Sequence, residues 1–158
     1  MSDGMENRVH MADVGNKGVT TRTARAAGTL SVSVDQARAL GENTLAKGDW
    51  RSVARLAGIQ GAKRCADTVP LCHPLQLDYV DIDIQLDTQA RIVRIVCTAT
   101  ADAKTGVEME ALTGVTAALL TVYDMIKSTG KGAEIGPIVL LEKSGGKSGN
   151  WSRPDTAF

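Results

Sequence analysis

Asp124 and Lys127 stand three residues apart in the stretch 106–128, GVEMEALTGVTAALLTVYDMIKS. At that spacing a carboxylate and an ammonium group are neighbours on a helix surface, and both are types that general acid–base chemistry uses. Glu108 and Glu110 open the same stretch, where carboxylates favour the positive end of a helix dipole. The alternative is a surface helix with ordinary solvated charges, and the helix alone leaves both readings open. Cys72 and His73 lie between two prolines in VPLCHPLQL, so the chain there is extended and stiff. Two adjacent ligands without a second cluster fall short of a structural zinc site; a rigidly held His73 is better suited to contacting a ligand. Arg22 and Arg25 are either solvated or poised for phosphate, which a planar guanidinium grips well. His10 stands alone and reads as an exposed histidine.

The stretch 142–149, EKSGGKSG, invites comparison with a phosphate-binding loop. The Walker pattern needs glycine where Leu141 stands and a helix after the Lys-Ser pair. Only ten residues follow Ser148, Pro154 among them, so it is not a Walker loop. A Gly-Gly turn between Lys143 and Lys147 can still offer backbone N–H groups and two ammonium groups to an anion. A flexible Gly/Ser tail is the alternative.

The elements that must position these groups follow from periodicity. Leu112, Val115, Leu119, Val122 and Ile126 recur at spacings of three and four, one apolar stripe on a helix over 106–128 that ends at Gly130 and Gly132. Residues 22–33 read as a strand and 34–46 as a helix weakened by Gly41. Asp49 in KGDW caps a helix running through SVARLAGIQGAKRCADTV, residues 52–69. Gly58 and Gly61 inside it cost roughly 1 kcal/mol each against alanine, which implies close packing against another backbone, a second subunit being one source. Residues 75–86 and 91–101 alternate as two strands of a hairpin around DTQA, with a phase switch at Tyr79–Val80 that predicts a bulge. Ile135 to Leu141 is a last strand, and Pro137 favours a sheet edge. The predicted architecture is α+β: a ferredoxin-like sandwich, a mostly antiparallel sheet with helices on one face. Its domain spans residues 21–149, between flexible tails at 1–20 and 150–158.

Composition narrows the function. With 158 residues, 43% of them hydrophobic, the chain forms one core without staples. Lysine plus arginine balance aspartate plus glutamate at 18 each, and aromatics are 3%. Both facts disfavour a nucleic-acid binder, and the neutral balance disfavours membrane-surface attraction. Cys65, Cys72 and Cys97 form no CxxC pair, which fits a reducing, cytoplasmic setting. Neither an apolar h-region nor a run long enough for a membrane span stands out.

The segments MADVGNKGVTTRTARA, KGDW with ARLAGIQGAKR, PLCHPL, KTGVEMEALTGVTAALLTVYDMIK and IGPIVLLEKSGGKSG together cover residues 11 to 149. In their types and order the chain resembles the cyclic pyranopterin monophosphate synthase family, the C proteins of molybdenum-cofactor biosynthesis. The resemblance implies a lyase. A partner radical enzyme makes 3',8-cyclo-7,8-dihydroguanosine 5'-triphosphate from GTP; the family rearranges it to cyclic pyranopterin monophosphate and releases pyrophosphate. This chain lacks the CxxxCxxC motif of the radical step.

By the same resemblance Asp124 is the catalytic aspartate, Lys127 stands beside it, and Lys47 is a second acid/base. A lysine near other cations can have its pKa lowered towards working pH. Leu71, Cys72, His73, Met109 and Glu110 match the family's substrate-binding segments, and Glu108 joins them. Arg22, Lys143 and Lys147 are candidates for the triphosphate. No resident cofactor and no full set of metal ligands is expected, although a triphosphate can bring its own Mg²⁺. Fourteen positions separate Glu110 from Asp124, about 21 Å along a straight helix, too far for one small-molecule pocket. An oligomer with sites between subunits is therefore expected, and the resemblance implies a hexamer built from dimers. A non-catalytic carrier of the intermediate is the runner-up reading.

Overall fold

The structure, a computed structural model, describes residues 8–154. Ten short elements follow one another: β1 (Thr20–Ser31), α1 (Val34–Glu42), α2 (Trp50–Lys63), α3 (Cys65–Thr68), β2 (Tyr79–Asp87), β3 (Ile92–Ala103), α4 (Glu108–Ile126), a 3-10 turn (Lys127–Thr129), β4 (Glu134–Ser144) and β5 (Trp151–Ser152). The sheet runs in the order β2-β3-β1-β4-β5, and every described pairing is antiparallel. Its first four strands and the helices between them give the ferredoxin-like sandwich that the element order predicts.

Local chemistry sets the helix ends. Ser33 and Gln36 form a reciprocal capping box at the start of α1. Asn43, in the left-handed region at φ 53°, ends it four residues earlier than periodicity implied. Asp49 caps α2 as expected, accepting from the Arg51 N–H at 3.2 Å. The predicted 52–69 helix is two pieces, because the backbone leaves helical geometry at Arg64. Trp50 begins α2 fully buried, and its indole N–H donates to the Leu40 carbonyl at 2.9 Å, tying α2 to the end of α1.

The strands depart from expectation at three points. No bulge lies at Tyr79–Val80, because β2 begins at Tyr79 and its register with β3 is unbroken to Asp87. The irregularities sit between β1 and β4, at Arg25/Ala26 and Gly28/Leu30. β4 is an edge along most of its length, but β5 pairs with Glu142 and Lys143. The expected C-terminal tail thus contains a strand, and the N-terminal one ends at Thr20; residues 1–7 and 155–158 of those tails lie outside the described residues.

α4 lies across β1, β3 and β4 and against α2. Val115, Leu119, Val122 and Ile126 are fully buried along it, each contributing about 1.5–3 kcal/mol by leaving water. Residues Glu108–Thr129 are long and apolar enough to cross a membrane by composition, contrary to the sequence reading, but this helix buries its stripe in the protein core. Two close approaches fix its height. A Cβ on Gly28 of β1 would meet Leu119 Cδ1 at 2.7 Å, and one on Gly58 of α2 would come within 3.1 Å of the Gly114 carbonyl of α4. Gly58, Gly61 and Gly114 therefore serve the packing of α2 on α4 within one chain.

Candidate active site

Strand alternation puts Arg22 on the same sheet face as Ala24 and Ala26, the core alanines of β1. Lys143 of β4 pairs in register with Ala24 and shares that face. Both lie near the strand ends where α4 begins, so their side chains enter a cleft instead of the core. The cleft has a volume of about 660 Å³. Lys17, Arg22, Lys104, Lys143 and Lys147 line it, with Glu108 as the acidic member and the turn 144–148 as one wall. Lys143 donates to Glu108 Oε1 at 2.8 Å and to Ser148 Oγ at 3.3 Å.

The Gly-Gly turn has a specific shape. Gly145 and Gly146 have φ of +95° and +72°, a region that favours glycine. A Cβ on Gly146 would fall 1.6 Å from Arg22 Nη1, so the turn lies directly on the guanidinium. Arg22 Nε is buried without a partner. A charged donor held in that way retains an unmet demand for an acceptor. Gly106 and Val107, just before α4, border the same space, and α4 has no side-chain cap. A helix N-terminus beside five cations makes a site suited to a polyanion.

At the other end of α4, Asp124 takes one lysine on each carboxylate oxygen. Lys127 Nζ donates to Oδ1 at 2.6 Å, and Lys47 Nζ donates to Oδ2. The hydrogen bonds from Lys127 and then Lys47 hold the Asp124 pKa down at about 2. Asp124 in turn raises that of Lys127. The lowered lysine pKa envisaged from neighbouring cations is thus reversed at Lys127, because its nearest charge is a carboxylate. All three side chains are about half exposed.

A third group surrounds Glu110, which faces away from Glu108 and is 2% exposed. Its Oε1 lies 3.7 Å from Cys72 Sγ, and its Oε2 is buried without a partner. Burial raises the Glu110 pKa, and burial first, then the Glu110 charge, raises that of Cys72 to about 12. Leu71 and Met109 are well exposed nearby in sequence, and His73 is half-buried.

One chain therefore brings Arg22, Glu108, Lys143 and Lys147 together, separately joins Lys47, Asp124 and Lys127, and separately joins Cys72 with Glu110. Sequence reading missed three residues. Lys17 fell in a stretch taken for tail, and Lys104 in a connector; the glycines Gly15 and Gly18 around Lys17 were the available signal for a shaped loop. Lys104 Nζ in fact holds the Gly15 carbonyl at 3.0 Å. Cys65 was missed because its tie to Cys72, with the sulfurs 3.8 Å apart, depends on the break after α2.

The model of the MoaC family matches residues 11–146. A cyclic pyranopterin monophosphate synthase from Jannaschia sp. is 45% identical over 150 residues, 95% of this chain and 92% of that protein. One from Streptomyces avermitilis is 50% identical over 143 residues, 90% of this chain and 83% of that protein. A molybdenum cofactor biosynthesis bifunctional protein from Synechococcus elongatus is 50% identical over 147 residues, 93% of this chain; the chain spans 46% of that protein's length. A match that spans β1 to β4 and α4, with two synthases alike over most of their own lengths, leaves one assignment: the chain belongs to the MoaC family.

Proposed function

We propose that the chain is a lyase of molybdenum-cofactor biosynthesis, converting 3',8-cyclo-7,8-dihydroguanosine 5'-triphosphate to cyclic pyranopterin monophosphate with release of pyrophosphate. The observation that carries the reading is the pairing of two sites on one helix: a cationic cleft at the start of α4 and a lysine–aspartate–lysine cluster at its end. The two relatives that bear the synthase name support it. The cleft takes the triphosphate, with Arg22, Lys143 and Lys147 neutralising charge that develops as pyrophosphate leaves. If Mg²⁺ accompanies the triphosphate, it arrives with the substrate.

Ring opening and pterin closure need repeated proton transfers. Asp124 remains ionised at working pH and acts as the fixed anion between Lys47 and Lys127. Lys127, held protonated by Asp124, serves as the acid. Leu71, His73 and Met109, which flank Cys72 and Glu110 in sequence, contact the base portion of the substrate.

About 21 Å of helix separates Glu110 from Asp124, so the cleft of one chain is completed by the Asp124 cluster of another. The assembly is a homo-oligomer, a hexamer made of dimers, in the cytoplasm beside the radical enzyme that supplies the substrate. The test is pyrophosphate release by the purified chain given the cyclised intermediate. Stoichiometric pyrophosphate with cyclic pterin is expected; tight binding without either product would reject the lyase in favour of a carrier. A fully active monomer in solution would reject the shared site.

A further inference from the structure

Cys65 opens α3 and Cys72 follows its end, and the short helix turns the chain so that their sulfurs approach to 3.8 Å. Glu110, from the first turn of α4, points at the same spot from across the fold, 3.7 Å from Cys72 Sγ. The three ligand atoms lie within 4.8 Å of one another. Thr113, one turn further along α4, donates its hydroxyl to Cys65 Sγ at 3.3 Å. Cys65 and Glu110 are each 2% exposed, and Cys72 is the member that solvent reaches. Glu110 Oε2 has no partner.

The two contacts made by Cys72 Sγ match two edges of a coordination shell, and the third edge closes within 4.8 Å. Zinc binds thiolate at about 2.3 Å and carboxylate at about 2.0–2.2 Å in a tetrahedron. The sulfur–sulfur edge of that tetrahedron is about 3.8 Å and the sulfur–oxygen edge about 3.5 Å. A buried carboxylate with an unmet oxygen beside two thiols otherwise carries an uncompensated cost. A divalent cation meets it: two thiols release their protons, and two thiolates with one carboxylate surround the ion. The Thr113 hydroxyl then supports the Cys65 sulfur as an outer partner does.

We propose that Cys65, Cys72 and Glu110 form a binding site for a thiophilic divalent cation of the zinc type, with three protein ligands and the fourth position open on the Cys72 side. This site stands on its own geometry and does not depend on the lyase reading. Its soft sulfurs distinguish it from any site for Mg²⁺, which takes oxygen ligands.

Cobalt is the probe, because Co²⁺ reports thiolate ligation and tetrahedral geometry in its absorption spectrum. The reduced, chelator-stripped full chain should bind one equivalent of Co²⁺, with a thiolate-to-metal charge-transfer band and strong ligand-field bands that Zn²⁺ abolishes. Even outer partners of a metal site are worth about 10–100-fold in affinity. Cys65→Ser should therefore weaken binding by at least roughly tenfold and reduce the charge-transfer band. Glu110→Gln should weaken binding similarly while keeping that band, so the test survives if the cysteine variant fails to fold. Cys97→Ala, outside the cluster, should bind as the wild type does. Absence of the charge-transfer band in excess Co²⁺, or unchanged affinity in both Cys65→Ser and Glu110→Gln, overturns the proposal. So does loss of two thiols as a disulfide on mild peroxide treatment of a chain that shows no cobalt band, which would make the pair an oxidisable dithiol.

Discussion

Lys47 and Asp124 are 77 positions apart in the chain, yet the Lys47 ammonium donates directly to the Asp124 carboxylate. The connection places the loop before α2 against the last turn of α4. It leaves Asp124 with both oxygens engaged by cations, since Lys127 holds the other. Replacing Asp124 by Asn should leave the fold intact and lower kcat by about 10²–10⁴-fold, the range for a positioned acid–base group. Lys47→Ala should fall in the same range. Because the two act as one unit, the double variant should lose little more than either alone. Steady-state kinetics with circular dichroism on the same preparations checks all three.

The ion pairs of Asp124 also fix a pH dependence. Its folded-state pKa, about 2, lies below the ordinary 3.8. A depressed carboxylate adds stability that is complete above the ordinary value and is lost as pH falls through the folded one. The stability difference between wild type and Asp124→Asn should be constant at neutral pH and shrink between about pH 4 and 2. Thermal unfolding across that range measures it. Lys127 is shifted above 10.5, so the alkaline limb that it sets on kcat should lie above the ordinary lysine range and move down in Asp124→Asn.

Gly146 tests the anion cleft. Alanine there must adopt φ +72° and displace the Arg22 guanidinium. A left-handed backbone costs a non-glycine residue about 1–2 kcal/mol, and Arg22 loses its seat as well. Gly146→Ala should raise the KM for the triphosphate substrate roughly tenfold, with a smaller change in kcat. Substrate titration at fixed pH separates the two.

Gly114 tests the helix contact. A methyl group at Gly114 would meet Cys97 Sγ at 2.7 Å and the Gly58 carbonyl at 3.2 Å. Overpacking of this kind costs about 1–3 kcal/mol, so Gly114→Ala should lower Tm by several degrees in calorimetry.

A site shared between chains can be tested by mixing. Asp124→Asn and Lys143→Ala should each have little activity alone, about one-hundredth or less for Asp124→Asn. Dissociated and reassembled together, random pairing gives about one quarter of the sites both intact residues. Recovered pyrophosphate release near that fraction is the expected outcome, and no recovery places both residues in one chain's site.

How much of this was legible follows from the range of the interactions. The stripe of α4, the cap at Asp49 and the β2–β3 hairpin are local patterns, and they were read correctly apart from the early start of β2 and its bulge. Lys143 and Lys147 were found because a Gly-Gly turn leaves a local signature. Lys17 and Lys104 join the same cleft from elsewhere in the chain, and no periodic signal marks them. Gly58 and Gly61 advertised close packing, but only the tertiary fold shows that they face Gly114 and Thr113 of α4. Cys65 was invisible for a similar reason: a helical reading carried it past Arg64, where the backbone in fact turns towards Cys72.

The two tryptophans occupy opposite kinds of place. Trp50 is sealed in the core with its indole N–H bound to Leu40, whereas Trp151 is 41% exposed on β5 and paired with Lys143. The molecule therefore carries two separable optical reporters. With Trp151 replaced by Phe, emission from Trp50 follows the core; with Trp50 replaced by Phe, emission from Trp151 follows the β4–β5 edge beside Lys143. The core and the sheet edge can be watched in the same cuvette without attaching a dye.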